Sequence, residues 1–228
     1  MYIPALDYTF YGPIVLGSIL VGIVAACFLM HKADAKKITI FYTAVLTLVM
    51  IIMVSLMTSM ALTNDIRKVS FNGAGGALGL ILGAITSALI HRDHPIESVS
   101  AWITVSPLIY GLSKTACHIA GCCNGIPYTG PMHVTYEIKN GASFFPVQLT
   151  ETVVFILIFI AGLILYLKMK NKIRAAAITC LVSAIAKDLL EFLRESHMGQ
   201  TISGYQIIVL AIAILFVIAS IPLSKKLV

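Results

Sequence analysis

The chain has 228 residues, 59% of them hydrophobic and only 11% charged, with a mean hydropathy of +0.95. That balance excludes an ordinary soluble core and argues against an outer-membrane barrel, whose strands alternate apolar and polar residues; here the apolar stretches run unbroken over roughly twenty positions. The net charge of +6 reads as membrane topology and not as a nucleic-acid surface.

In chain order, Met1 to Phe10 contains Asp7 but no Lys or Arg. It lacks the basic n-region of a cleavable signal peptide, so the first span is expected to be retained. Spans are predicted at 11–30, 38–62, 71–90, 98–120, 147–168, 174–194 and 202–223, each able to cross about 30 Å of hydrocarbon at about 1.5 Å per residue. The first opens on Tyr11. The third opens on Phe71-Asn72-Gly73-Ala74-Gly75-Gly76. The fourth is loosened by Pro107 and Gly111 and ends in Lys114-Thr115-Ala116-Cys117-His118. Loop 121–146 is long for a helix connection and is punctuated by Gly, Pro and Tyr. The fifth span opens on Gln148 and Glu151, and the sixth ends in Lys187, Asp188, Glu191, Arg194 and Glu195. No internal repeat or linker divides the chain, and one membrane domain over 1–228 is expected.

Basic residues fix the orientation. Lys32, Lys36, Lys37, Arg92, Lys168, Lys170, Lys172, Arg174, Lys225 and Lys226 fall on one side; Arg67, Lys68, Lys139 and Arg194 fall on the other. The richer side is cytoplasmic. The expected fold class is therefore all-α integral membrane, with seven transmembrane helices, the N-terminus outside and the C-terminus cytoplasmic. Tyr11, Asn72, Gly73, loop 121–146 and the end of the sixth span then meet on the outer leaflet.

Each polar cluster admits a structural and a functional reading. Lys187, Glu191 and Arg194 follow i, i+4 and i+7 and share a helix face; they form either an internal ion-pair set or an anion and lipid-headgroup site. Lys114 either snorkels to the interface or holds a phosphate as a point charge. The Gly-rich start of the third span serves close helix packing or backbone approach to a ligand. Glu151 in an apolar run is hard to explain as packing and points to function or to a basic partner on another span. Cys117, His118, Cys122 and Cys123 follow Cys-His-x3-Cys-Cys, which is not a usual zinc pattern, so no metal is expected. There is no Cys-x-x-Cys redox pair. A Cys nucleophile with His118 or His133 as base, or small thiols that let helices pack, are the other readings. Trp102, Tyr8, Tyr11 and Tyr110 can serve as interfacial aromatics.

Taken together the motifs resemble the prolipoprotein diacylglyceryl transferase family along most of the chain. Tyr11-Gly12 resembles the Tyr-Gly that opens its first span, and Phe71 to Gly76 its Phe-His-Gly-Gly segment. Lys114 to Gly121 falls on its Arg-x-Gly-Asn-Phe-Ile-Asn-Gly signature, and Gly121 to Gly125 matches a Gly-Cys-Cys-x-Gly variant. Phe145-Pro146-Val147-Gln148-Leu149-Thr150-Glu151 is similar to His-Pro-x-Gln-Leu-Tyr-Glu. Lys187 to Arg194 is similar to Arg-Phe-x-x-Glu-Phe-x-Arg, and Gly204-Tyr205-Gln206 loosely follows a Gly-Gln at the last span. The resemblance implies transfer of a diacylglyceryl group from phosphatidylglycerol to the thiol of a preprolipoprotein signal peptide, at the outer face of a bacterial plasma membrane, with no cofactor and no nucleic acid. It implies that Lys114 and Lys187, with Arg194, Asn72 and Gly73 beside them, bind the phosphate and headgroup. Tyr11 and Glu191 orient the headgroup, and Gln148 and Glu151 shape the cavity mouth. Lys stands at both family Arg positions, Asn72 at the family His, Phe145 at the His of His-Pro, Cys122 at the signature Glu and Thr150 at the motif Tyr. His118, Cys122, Glu151 and Tyr11 are the catalytic candidates. A Cys/His peptidase or acyl transferase on the same fold, or a non-catalytic phospholipid-binding module, are the alternatives.

Overall fold

The computed structural model describes residues 1–68 and 70–225; Lys226 of the basic tail lies outside them, as do the side chains of Lys68, Tyr205 and Lys225. Seven helices follow one another: α1 Tyr11–Lys32, α2 Lys37–Thr63, α3 Gly73–Ile90, α4 Pro95–Ala120, α5 Val147–Lys168, α6 Lys172–Glu191 and α7 Gly204–Lys225. All seven expected spans coincide with helices. In hydrocarbon a segment must satisfy its own backbone, and a continuous helix does so. Among the described residues, α1, the Lys37–Ala61 stretch of α2, α3 and α5 are long and apolar enough to cross a membrane. Helix α7 has a shorter apolar stretch, Gln206–Pro222, and α4 and α6 carry more polar side chains.

Helix α4 is the pillar. It packs against α1, α3, α5 and α6, and Ala101, Trp102, Val105, Ala116 and Ala120 on it are wholly buried. It starts on Pro95 at the first turn, where a missing N–H costs nothing. Pro107 sits in its interior and leaves the Ile103 carbonyl without its usual donor; the Ser106 hydroxyl donates to that carbonyl at 2.9 Å, so the helix continues past the proline. Helix α3 lies along α2 through small residues. A Cβ on Gly79 would stand 2.4 Å from the Met50 carbonyl oxygen and one on Gly83 would stand 2.7 Å from the Thr47 Cα, so the two backbones touch. On the opposite end of the bundle from the loop described next, Asp93 accepts from the Lys36 amide at 2.9 Å and from the Thr39 hydroxyl at 3.1 Å. It caps the start of α2 from a different loop.

Two features depart from the sequence expectation. The long loop contains two strands and pairs with the N-terminal segment: β1 Tyr2–Ile3 runs parallel to β2 Val134–Tyr136, and β2 runs antiparallel to β3 Ala142–Phe144. Ile3, Val134, Tyr136 and Phe144 form a small core of their own. Three-residue strands between Gly and Pro signals leave no periodic pattern to read. The sixth helix also ends at Glu191, not at 194. Arg194 is extended, at φ −97° and ψ 139°. It bridges Gly125 while Ile126 donates to the Leu193 carbonyl and Glu195 to the Asn124 carbonyl. The expected i+7 placement of Arg194 on the helix face is thus wrong in detail, because the outer loop draws the chain out of the helix.

Candidate functional site

Glu151 stands at the centre. It lies one turn into α5, is 0% exposed, and would be prohibitively costly as a lone charge at that depth. Four side chains surround it. One terminal nitrogen of Arg194 reaches both carboxylate oxygens, at 2.7 and 2.6 Å. The Tyr110 hydroxyl donates to Oε1 at 2.9 Å. Lys114 on α4 approaches to 3.4 Å and Lys187 on α6 to 3.8 Å. Glu191 extends the set: it pairs with Lys187 and lies 3.3 Å from the Arg194 Nε. Lys114 also sits over the Tyr110 ring, 4.7 Å from its centroid, a cation–π contact. Three cations and two carboxylates leave one net positive charge. Burial works against the charge on Arg194, but Glu151 beside it more than offsets that, and the guanidinium is held above its ordinary value.

The turn after α4 forms the second part. Gly121 adopts φ +73°, and a side chain there would be strained. Its amide donates to the His118 carbonyl, and the Cys122 amide donates to the Cys117 carbonyl at 3.1 Å. This is the Schellman closure of a helix, and it folds Cys122 back toward Cys117. Gln148, also 0% exposed, donates from Nε2 to the Cys122 carbonyl at 2.6 Å and to the Tyr136 hydroxyl at 3.3 Å. Its Oε1 is buried with no hydrogen-bond partner among the described residues. The sulfurs of Cys117, Cys122 and Cys123 all lie within 4.8 Å of one another. Hydrogen bonds from Cys117 and Cys122, with the positive charge of Lys114 and Arg194 behind them, hold the Cys123 thiol below its ordinary range; its neighbours push Cys122 above it. Tyr8 and Tyr11 stand beside these thiols.

The structure therefore brings Lys114, Lys187, Glu191, Arg194 and Glu151 into one cluster, with Gln148, Cys122 and Tyr11 at its flank. Other expected residues stand elsewhere. Asn72 caps α3, its Oδ1 accepting from the Gly75 amide at 2.9 Å while its own amide donates to Ser55 Oγ at 2.7 Å. Gly73 has open space where a side chain would project. His118 is buried with Nε2 3.0 Å from the Met1 sulfur, and His133 is bonded to the Gly130 carbonyl at 2.9 Å. Tyr110 is the residue sequence reasoning undervalued. It precedes Lys114 by four on α4 and so shares its face, a spacing that could have revealed it. Nothing in the sequence pattern marked Tyr136.

A family model described as prolipoprotein diacylglyceryl transferase matches residues 1–221. Among curated proteins none matches the chain. Members of this family are diacylglyceryl transferases that act on phospholipid and prolipoprotein substrates in membranes, and the long apolar helices fit a multi-pass membrane protein. The buried cation cluster, the Gly-Cys-Cys-Asn-Gly turn and the Gln148–Glu151 pair occupy the matched region, and the chain belongs to the prolipoprotein diacylglyceryl transferase family.

Proposed function

We propose that the chain moves the diacylglyceryl group of phosphatidylglycerol onto a prolipoprotein cysteine thiol, on the outer face of a bacterial plasma membrane that it spans seven times with its N-terminus outside. The observation that carries this reading is the buried cluster around Glu151. Lys114, Lys187 and Arg194 outnumber Glu151 and Glu191 by one charge, which suits one phosphodiester, and the carboxylates hold the cations in place before the lipid arrives. Preorganised charge of this kind stabilises a developing anion without reorganisation during the reaction.

In the step itself the acceptor sulfur attacks the glyceryl carbon. A C–S bond forms and the C–O bond to the phosphate breaks. The oxygen keeps the electron pair and leaves as glycerol phosphate, met by the three cations. The buried Oε1 of Gln148 offers an acceptor to a headgroup hydroxyl, and Tyr11 with Glu191 orients the headgroup. Lys at 114 and 187 supplies charge without the bidentate fork of Arg. Asn72 is engaged as a helix cap and is no base; His118, beside the Gly121 turn, is the candidate to take the thiol proton.

The test is a transfer assay in liposomes with purified protein, phosphatidylglycerol labelled in its diacylglyceryl group and a lipobox peptide. Label is expected on the peptide thiol, and lost in both Lys114→Ala and Lys187→Ala. Co-purified phospholipid that these variants lose, without any transfer, would overturn the transferase reading and leave a phospholipid-binding module.

A further inference from the structure

We propose that Cys117, Cys122 and Cys123 together hold a thiophilic divalent ion of the zinc class as three thiolates, leaving a fourth position for a thiol from outside the chain. The spacing Cys-x4-Cys-Cys argues against a metal, because adjacent cysteines normally point apart. The fold removes that objection. The Schellman closure at Gly121 returns Cys122 over Cys117, and Cys123 adopts φ +59°, a left-handed conformation that costs a non-glycine residue strain. The result is three sulfurs within 4.8 Å of one another. Zinc–sulfur bonds of about 2.3 Å in tetrahedral geometry place sulfurs about 3.8 Å apart, so a contraction of roughly half an ångström per sulfur completes the site.

Charge and ligand number agree. A divalent ion with three thiolates and a neutral fourth ligand carries one negative charge, and Lys114 and Arg194 act directly on these sulfurs. His118 does not complete the coordination, since the close group comprises the three sulfurs without either of its ring nitrogens. Three protein ligands with one open position is the arrangement of reactive zinc sites, not of purely structural ones. On binding, each thiol releases its proton to solvent and the ion keeps its +2 charge, so no oxidant or reductant is needed. A thiol entering the fourth position likewise gives up its proton and stays as a bound thiolate. That last part rests on the transferase reading: it would supply the deprotonation for which Asn72 offers no base.

The reduced full-length protein in detergent is titrated with Co2+, whose sulfur-to-cobalt charge-transfer and tetrahedral bands report thiolate ligation. One equivalent is expected to bind in the wild type and to be displaced by Zn2+. The bands should vanish in Cys117→Ser, Cys122→Ser and Cys123→Ser, each eluting as the wild type does on size exclusion, and persist in Cys27→Ser and Cys180→Ser. No bands in the wild type, or bands that survive Cys123→Ser, overturn the site. A single-cysteine peptide should then alter the spectrum where its serine counterpart does not; an unchanged spectrum overturns the open position. If cobalt binds and responds to thiol while no label is transferred in the assay above, the transferase reading falls and the metal site stands.

Discussion

Glu151 matters more to the site than any one of its cations, because it alone touches all three. Its replacement by Gln leaves Lys114, Lys187 and Arg194 facing one another with Glu191 as their remaining anion. Removing one partner of a buried ion set costs about 3–5 kcal/mol, most of it the penalty of the uncompensated charge. For a chain of this length that corresponds to a fall of roughly 10 °C in the unfolding midpoint, read by thermal unfolding in detergent. Adding Lys114→Met to Glu151→Gln should recover part of the loss, since the two groups are 3.4 Å apart and their effects are coupled. A double variant no more stable than the single one would show that charge balance is not what Glu151 provides. Tyr110→Phe is the milder change: it deletes one hydrogen bond to a carboxylate, about 1.5–3 kcal/mol, and leaves the ion pairs in place.

At the level of elements, the glycines of α3 divide into two kinds. Gly79 lies against the α2 backbone, with the Met50 carbonyl oxygen 2.4 Å from where a Cβ would stand, whereas nothing lies within 4 Å of one on Gly73. Gly79→Ala should cost about 1–3 kcal/mol by forcing the helices apart, and Gly73→Ala should be neutral; equal unfolding midpoints for the two variants would refute the packing role. Asp93 gives an element-scale pH dependence. The Lys36 amide first, and the Thr39 hydroxyl with it, lower its carboxyl below the ordinary aspartate value of 3.8. The folded value being the lower one, its contribution is fully present above 3.8 and is lost as pH falls through the folded value. Asp93→Asn should therefore lower the midpoint at pH 7 and leave it unchanged at a pH below both values; a deficit that persists there would point to packing instead of charge. Helices were legible because hydrocarbon admits few alternatives to them, and Lys187 with Glu191 was legible from i, i+4 spacing. The strands of the outer loop and the early end of α6 were not. The end of α6 depends on the distant pairing of Gly125 with Arg194 and β1 on pairing with β2, while β2 and β3 are three residues each; none of these leaves a local period. The sulfur cluster was hidden for a related reason: convergence of Cys122 and Cys123 depends on backbone angles that residue spacing does not encode.

The whole molecule places its chemistry at one end. Glu151 is near the start of α5, Lys187 near the end of α6, Lys114 near the end of α4 and Tyr11 at the start of α1; in a bundle of alternating helices these four positions share a side. The opposite side has Lys36 and Lys37 at the start of α2, Asp93 before α4 and Lys168 to Arg174 where α5 ends and α6 begins, with Lys172 donating to the Tyr166 and Met169 carbonyls at 2.7 and 3.0 Å. Basic residues concentrate there, so that side should face the cytoplasm and the Glu151 cluster should open outward. Cysteines introduced at exposed Lys37 and exposed Thr129, in a background with Cys122 and Cys123 changed to Ser, distinguish the two sides. In intact cells a membrane-impermeant maleimide should label Thr129→Cys and spare Lys37→Cys until the membrane is opened. The reverse pattern would invert the bundle and place the cation cluster on the cytoplasmic leaflet. Labelling of both positions in intact cells would mean that an even number of crossings separates them, against the count of three from α2, α3 and α4, and the seven-span topology would fall with it.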